Sequence, residues 1–352
     1  MSDPLLLYGA TGYTGRLILA EALTQGLRPI LSGRNADEVT ALANAHGLEA
    51  RSVGLQHATA LDAALDGVRV VLHCAGPFAR LGPPMIAACF RRGVHYLDIS
   101  GEIELFEHCA TAGPKARAAG LVLLPGVGFD VVPSDCLAAH LKRRLPNADT
   151  LNLAFTGGTG LSRGTATTMI ENIGSGGAVR RDGRIRRVPT AWKTRDVDFG
   201  DRRRRCVSIP WGDVSTAFHS TGIPNITVYT AMSRRLLRVV RLARPLLPLL
   251  ATAPLQRLLK DRIDARGLGP SEARRAGAVS RMVGEARDAA GSTVRSRLVA
   301  PDGYTLTART AVAAASRVLA GAVPPGFHTP STAFGADFIL EFADVTREDL
   351  AE

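Results

Sequence analysis

The apolar run Leu5-Leu6-Leu7-Tyr8 is followed directly by Gly9-Ala10-Thr11-Gly12-Tyr13-Thr14-Gly15, and a helical pattern opens at the last glycine. This order of strand, glycines at every third position and helix constrains the fold more than any other feature of the chain. Glycine allows the tight strand-to-helix turn and the close approach of backbone to a bound group. The first amides and the macrodipole of the helix then favour negative charge at that point. Isolated glycine triplets occur by chance, but one placed between a strand and a helix points to the pyrophosphate of a dinucleotide.

The rest of the first 130 residues agrees with that reading. Short apolar runs at Leu5–Tyr8, Pro29–Ser32, Val68–Cys74, His95–Ile99 and Leu121–Leu124 alternate with helical patterns at Gly15–Gln25, Ala36–His46, Ala58–Leu65, Pro84–Arg92 and Glu104–Ala119. Such alternation predicts βαβ units around a buried parallel sheet. The second strand ends at Ser32-Gly33-Arg34-Asn35, where NAD-binding chains usually place a carboxylate for the ribose 2′-hydroxyl. An arginine there can pair with a 2′-phosphate instead, so NADP(H) is the expected cofactor; the plainer alternative is a solvated helix start. Cys74-Ala75-Gly76-Pro77-Phe78 lies at the carboxyl edge of the fourth unit, so Ala75, Gly76, Pro77 and Phe78 are expected beside the nicotinamide half, unless they form an ordinary Gly-Pro loop.

After Pro133 the rhythm changes. At 352 residues two domains are expected: a Rossmann-type α/β domain over 1–134, completed by about 322–352, and an α+β substrate and dimerisation domain over 135–321. In the second, Val294–Leu298 and Tyr304–Ala308 are expected to form a hairpin across Pro301-Asp302-Gly303, with a helix over Ala308–Gly321. Charge divides at the same place: residues 1–134 carry 10 Lys/Arg against 12 Asp/Glu, and residues 135–352 carry 33 against 20. Basic clusters such as Arg202–Arg205 lack interleaved aromatics, so no nucleic-acid partner is expected. The apolar segment 236–259 holds four arginines and three prolines, which argues against a membrane span. It is expected either to touch a membrane surface peripherally, to cover an apolar channel, or to pack as a helical pair. Five cysteines without a C-x-x-C pair, and no basic leader at Met1-Ser2-Asp3-Pro4, suggest a reducing, cytoplasmic setting and no metal.

The carboxylates Asp98, Glu102, Asp130 and Asp135 follow the last two strands of the first domain and could all approach its carboxyl edge. Asp130 is the preferred catalytic candidate, to orient substrate or relay a proton if its pKa is raised, with a helix cap as the alternative. Ser100, Gly101, Glu102, Gly128 and Phe129 are the expected substrate-side residues; Glu102 alternatively holds its own loop through backbone amides. Tyr96 and Tyr229 are less favoured acids. No tyrosine is followed four positions later by lysine, Ser134 lacks the G-x-S-x-G elbow, and the eight histidines show no H-E-x-x-H spacing.

Taken together, Gly9–Gly15, Ser32-Gly33-Arg34, Ala75-Gly76-Pro77-Phe78, Tyr96-Leu97-Asp98-Ile99-Ser100-Gly101-Glu102 and Pro125-Gly126-Val127-Gly128-Phe129-Asp130-Val131-Val132-Pro133-Ser134-Asp135 resemble the saccharopine dehydrogenase-like family, and within it the trans-acting enoyl reductase branch. The resemblance runs over most of residues 5–175, including Gly157-Gly158 and Arg163-Gly164-Thr165, and returns at His328-Thr329-Pro330. It implies a Rossmann domain with a substrate domain inserted after its sixth strand, a C-terminal segment returning to the first domain, NADP(H), and a reductase acting on an apolar small-molecule enoyl, acyl or carbonyl substrate; separately, a homodimer is one expected assembly. The alternatives are an NADP(H)-binding scaffold or sensor at a membrane or protein partner, and an imine or semialdehyde dehydrogenase.

Overall fold

In the computed structural model the described residues are 4–157, 176–246 and 269–351, with Ser162, Gly164, Ala166, Thr167, Ile170, Gly174, Thr252 and 255–257 between them. Gly158, Arg163, Thr165 and most of 247–259 lie outside these residues. The chain divides into two compact units, Met1–Val132 with Gly303–Phe334, and Pro133–Asp302 with Gly335–Glu352.

The first unit opens with β1 (Leu5–Tyr8), α1 (Tyr13–Thr24), β2 (Ile30–Gly33), α2 (Ala36–His46), β3 (Ala50–Ser52), α3 (Ala58–Ala64), β4 (Val70–His73), α4 (Phe78–Arg92), β5 (His95–Asp98), α5 (Ile103–Ala118) and β6 (Val122–Leu124). These strands are parallel throughout and lie in the order β3-β2-β1-β4-β5-β6. The chain moves outward from β1 to β3, then returns to the other side of β1. The loops that leave β1 and β4 are therefore neighbours, at the switch point where open α/β sheets bind ligands. Alternate residues supply two cores. Leu5, Leu7, Leu31, Val70, Leu72 and Leu97 meet Ile18, Leu19, Val39 and Ala43 on one face. Leu6, Ile30, Val71, Tyr96 and Leu123 meet Leu61, Met85, Ile86, Leu105 and Cys109 on the other. Burial on both faces is why β1, β2, β4 and β6 read as nearly unbroken apolar runs, whereas the edge strand β3 is polar and largely exposed. Helix α4 begins at Phe78 rather than at the expected Pro84 and carries Pro83 and Pro84 inside it, each without an amide hydrogen to donate.

In the second unit, α6 (Val132–Arg144) leads into β7 (Thr150–Thr156), β8 (Gly177–Arg181), β9 (Arg184–Val188), β10 (Thr194–Asp198), β11 (Arg203–Ile209), α7 (Asp213–Thr221), β12 (Asn225–Ala231), α8 (Arg234–Leu242), α9 (Glu272–Ala276), β13 (Val279–Arg287) and β14 (Thr293–Pro301). Val132, the first residue of α6, belongs to the first unit. Among the described residues only the β7–β12 pair is parallel in this mixed sheet. Register puts Leu151, Leu153, Ile226, Val228, Ala286 and Leu298 on one buried face. There Leu137 and Leu141 of α6 press on Gly284 so closely that a Cβ at 284 would lie 2.5 Å from Leu141 Cδ1. Asn152, Thr227, Glu285 and Arg295 occupy the opposite face, where Glu285 pairs with Arg195 at 3.0 Å and Arg295 at 2.8 Å.

The last part of the chain completes both units. Helix α10 (Gly303–Leu319), β15 (Gly326–Phe327) and α11 (Pro330–Phe334) belong to the first, where β15 extends the parallel sheet beside β6. Strand β16 (Thr346–Leu350) pairs with β14 in the second. Two expectations are corrected. The hairpin is formed by β13 and β14, and Tyr304–Ala308 lies within α10. The buried set Leu306, Thr310, Ala311, Ala314, Ala315 and Val318 has helical spacing, so Pro301-Asp302-Gly303 leads from strand to helix. The returning segment is Gly303–Phe334, and residues from Gly335 onward rejoin the second unit because their strand completes its sheet. Among the described residues, no helix is long and apolar enough to cross a membrane.

We expect Gly284→Val to lower stability by about 1–3 kcal/mol through overpacking against Leu137 and Leu141. Urea unfolding followed by circular dichroism measures this, and an unchanged midpoint would contradict the tight α6 packing.

Candidate functional site

The turn after β1 is held by its own backbone. Gly9 and Ala10 donate to Ser32 O at 2.8 and 3.2 Å, Gly12 donates to Gly9 O at 3.1 Å, and Arg16 Nε donates to Thr11 O at 3.0 Å. Gly9 has φ of +84°, and a Cβ on it would lie 3.0 Å from both the Cβ and the amide of Ala75. A Cβ on Gly15 would lie 2.2 Å from Gly9 O. Two glycines are therefore sterically required, one where the β1 and β4 loops meet and one where α1 meets its own turn. Gly12 precedes α1, whose first turn has no capping side chain and no acidic residue. Its N-terminal amides and dipole suit an anion. Tyr13 is held edge-on to Tyr304 at 5.0 Å, and Thr14 lies in the first turn.

At the end of β2, Ser32 is buried and its hydroxyl donates to Arg51 O at 2.6 Å, so its side chain braces β3 while its carbonyl receives the glycine turn. Gly33 O accepts from Val53 N at 2.9 Å. Arg34 is exposed, and among the described residues its guanidinium has no hydrogen-bond or ion-pair partner. Asn35 caps α2 by accepting from Glu38 N at 3.3 Å, and its own amide engages the Glu38 carboxylate at 2.9 Å.

The β4 loop is clamped from β5. Glu102 accepts from Phe78 N at 2.8 Å and from Ala79 N at 2.7 Å, capping α4. This long-range cap gives α4 a start that its local sequence does not announce. Glu102 thus holds the neighbouring loop rather than its own, which makes it a brace. Pro77 is buried, Gly76 is exposed, and the Phe78 ring stands edge-on to His73 at 5.4 Å.

Asp98 is buried and accepts from Ser100 N at 2.8 Å and Gly126 N at 2.9 Å, joining the ends of β5 and β6; burial raises its pKa despite these amides. Ser100 is buried beside it. Gly101 leaves room for Asp130, since a Cβ there would lie 3.0 Å from Asp130 Cβ and Oδ2. Asp130 is half-buried, and desolvation together with the charge of Glu102 pushes its pKa up to about 6. Phe129 N donates to Thr307 Oγ1 at 3.0 Å, Gly128 lies against the Thr307 methyl, and Gly303 faces the Phe129 ring. Gly128 and Phe129 are therefore seated on α10. Asp135 falls within α6 in the second unit.

His73 was not distinguished by sequence. It is fully buried among Tyr8, Phe78 and Tyr96, with Nδ1 3.3 Å from the Tyr96 hydroxyl, and desolvation lowers its pKa to about 3. It stays neutral at the base of the β4 loop. Its only sequence signal is a polar residue at the end of an otherwise apolar run. Burial raises the Tyr96 hydroxyl far above its ordinary range, which suits a packing role.

Fold and turn together define a dinucleotide-binding α/β protein, and comparison with known proteins sharpens this. Residues 5–124, all within the first unit, match the family model of the saccharopine dehydrogenase NADP-binding domain. A trans-acting enoyl reductase of Mycobacterium leprae is 35% identical over 149 residues, covering 40% of this chain and 36% of the relative. One from Mycobacterium ulcerans is 34% identical over 161 residues, covering 43% and 38%. The matches therefore span under half the length of these relatives. The solved apo saccharopine dehydrogenase (L-Glu forming) of Saccharomyces cerevisiae aligns with a TM-score of 0.67 over 99% of both chains at 14% identity, a likeness of fold.

Asp130 sets a pH dependence of stability. Its folded pKa lies above the usual value of about 4, so the stability linked to its proton is full below about pH 4 and is lost as pH rises through about 6. Asp130→Asn should remove this component from urea-unfolding midpoints measured across that window, and an unchanged profile would place Asp130 in open solvent.

Proposed function

We propose that the protein is an NADPH-dependent reductase of an apolar enoyl, acyl or carbonyl substrate. The observation that carries this reading is the glycine turn against the uncapped start of α1, with the exposed guanidinium of Arg34 at the end of β2. Gly9, Ala10, Thr11, Gly12, Tyr13, Thr14 and Gly15 would cradle the pyrophosphate, and Arg34 would engage the 2′-phosphate. Capture of the Glu38 carboxylate by Asn35 ties down an acidic side chain near that position. Ala75, Gly76, Pro77 and Phe78 would border the nicotinamide, their loop held by Glu102. NADPH supplies the hydride when bound.

The chain's own residues position the partners and manage the proton. Asp130 is the titratable group best suited to act near neutrality, because burial beside Glu102 lets it keep its proton to about pH 6. It gives that proton to the substrate or orients the acceptor oxygen. The enoyl preference rests on the mycobacterial relatives, whose partial coverage supports the reductase class more than the particular substrate.

Titration with NADPH and NADH, followed by nicotinamide fluorescence, tests the cofactor reading. We expect tight NADPH binding that weakens roughly ten- to a hundredfold in Arg34→Asp, the loss expected when charge-assisted contacts to a phosphate are removed. Failure to bind either nucleotide overturns the proposal. A 2-enoyl thioester should oxidise bound NADPH, and Asp130→Asn should lose the fall in kcat as pH rises through about 6. Nucleotide binding without turnover on any enoyl or carbonyl acceptor would leave a binding protein and no reductase.

A further inference from the structure

We infer that α8 is a peripheral docking element for an anionic lipid surface, lying in the plane of the interface. Among the described residues the exposed large hydrophobic side chains are Leu236, Val239, Leu242, Val279 and Leu340, and the first three fall on this nine-residue helix. They are 51%, 60% and 79% exposed and recur every third residue. At helical spacing they form one continuous apolar row. Arg234, Arg235, Arg238 and Arg241 are also exposed; among the described residues none has a hydrogen-bond or ion-pair partner, and α8 contains no acidic residue.

The inner side of α8 is firmly attached. Leu237 is buried with Ala191 and Val207, with Val240 and Met232 packed beside them. Ser233 caps the N-terminus by accepting from Leu236 N at 3.2 Å. Beyond the C-terminus, Arg244 donates to Thr190 O and Ala191 O, both at 2.7 Å. The outward row is therefore not a frayed end awaiting burial in this unit's core. It is an apolar stripe on an anchored helix, bordered by arginines.

The occupant follows from charge and side-chain type. Residues 180–205 of the same unit add eleven Lys/Arg against four Asp, so the surrounding field is also positive. An anionic bilayer supplies phosphates for the arginines and acyl chains for the leucines and valine; apolar burial and electrostatic attraction together are what reversible interfacial binding requires. The arginine stems can lie along the apolar surface while their guanidinium groups reach the headgroups. A specific protein partner would more typically be met by aromatic anchors, and α8 has none. At nine residues it is too short to span a bilayer. This inference stands independently of the proposed reductase activity.

Vesicle flotation of the full chain tests it, using phosphatidylcholine vesicles with and without about 30% phosphatidylglycerol at low salt. We expect flotation with the anionic vesicles only, lost at high salt. Leu236→Ser/Val239→Ser/Leu242→Ser and Arg234→Gln/Arg238→Gln/Arg241→Gln should each reduce partitioning by at least about tenfold without changing the thermal melting curve. The altered side chains are solvent-exposed, so folding should be retained. No flotation of the unaltered chain overturns the proposal. Undiminished flotation of the serine variant does so too, by assigning binding to other basic segments. Concentration-dependent self-association that this variant abolishes would make the row a face for a second copy instead.

Discussion

The carbonyl oxygen of Gly9 and the α-carbon of Gly15 are so close that no side chain fits between them, and the arrangement of the first unit turns on this contact. It lets α1 start at the end of β1 with uncapped amides at the switch between β1 and β4. The same turn hangs from Ser32 O on β2 and touches Ala75 after β4. A larger residue at position 15 would move the helix start away from its turn and disturb the geometry that makes the amides available to an anion.

Three carboxyl groups at the edge of this sheet have different roles because their surroundings differ. Asp98 is enclosed and engaged by two amides across β5 and β6, which makes it a structural tie. Glu102 receives the first amides of α4 and fixes the loop that follows β4. Asp130, over Gly101 and in the field of Glu102, has its titration moved toward neutrality. Identical chemistry is thus divided between scaffold and candidate reactivity by burial and by the availability of backbone donors.

The second unit solves a different problem with its mixed sheet. One face is apolar and covered by α6, and the other carries charged side chains that pair across strands, as Glu285 does with Arg195 and Arg295. Its excess arginine is not fully absorbed by such pairs, and α8 combines unpaired arginines with an exposed apolar row. That combination marks this surface for an amphipathic partner rather than for water alone.

Local chemistry was sufficient to determine the parallel first sheet, the glycine turn and the candidate 2′-phosphate arginine. Doubly buried strands are largely apolar, a tight turn of this kind needs glycine, and Arg34 immediately follows its strand. The α10 pattern was also present in the spacing of Leu306 to Val318, although Asp-Gly beside Pro301 suggested a hairpin. Other properties required the folded chain. The partners of Glu102 are 24 and 23 residues away, the seat of Phe129 comes from Thr307, and the last strand returns to the second sheet. The sequence singled out Glu102, Phe129 and Asp130, but pairings over such separations and the desolvation that shifts Asp130 depend on which surfaces meet, and only tertiary structure decides that.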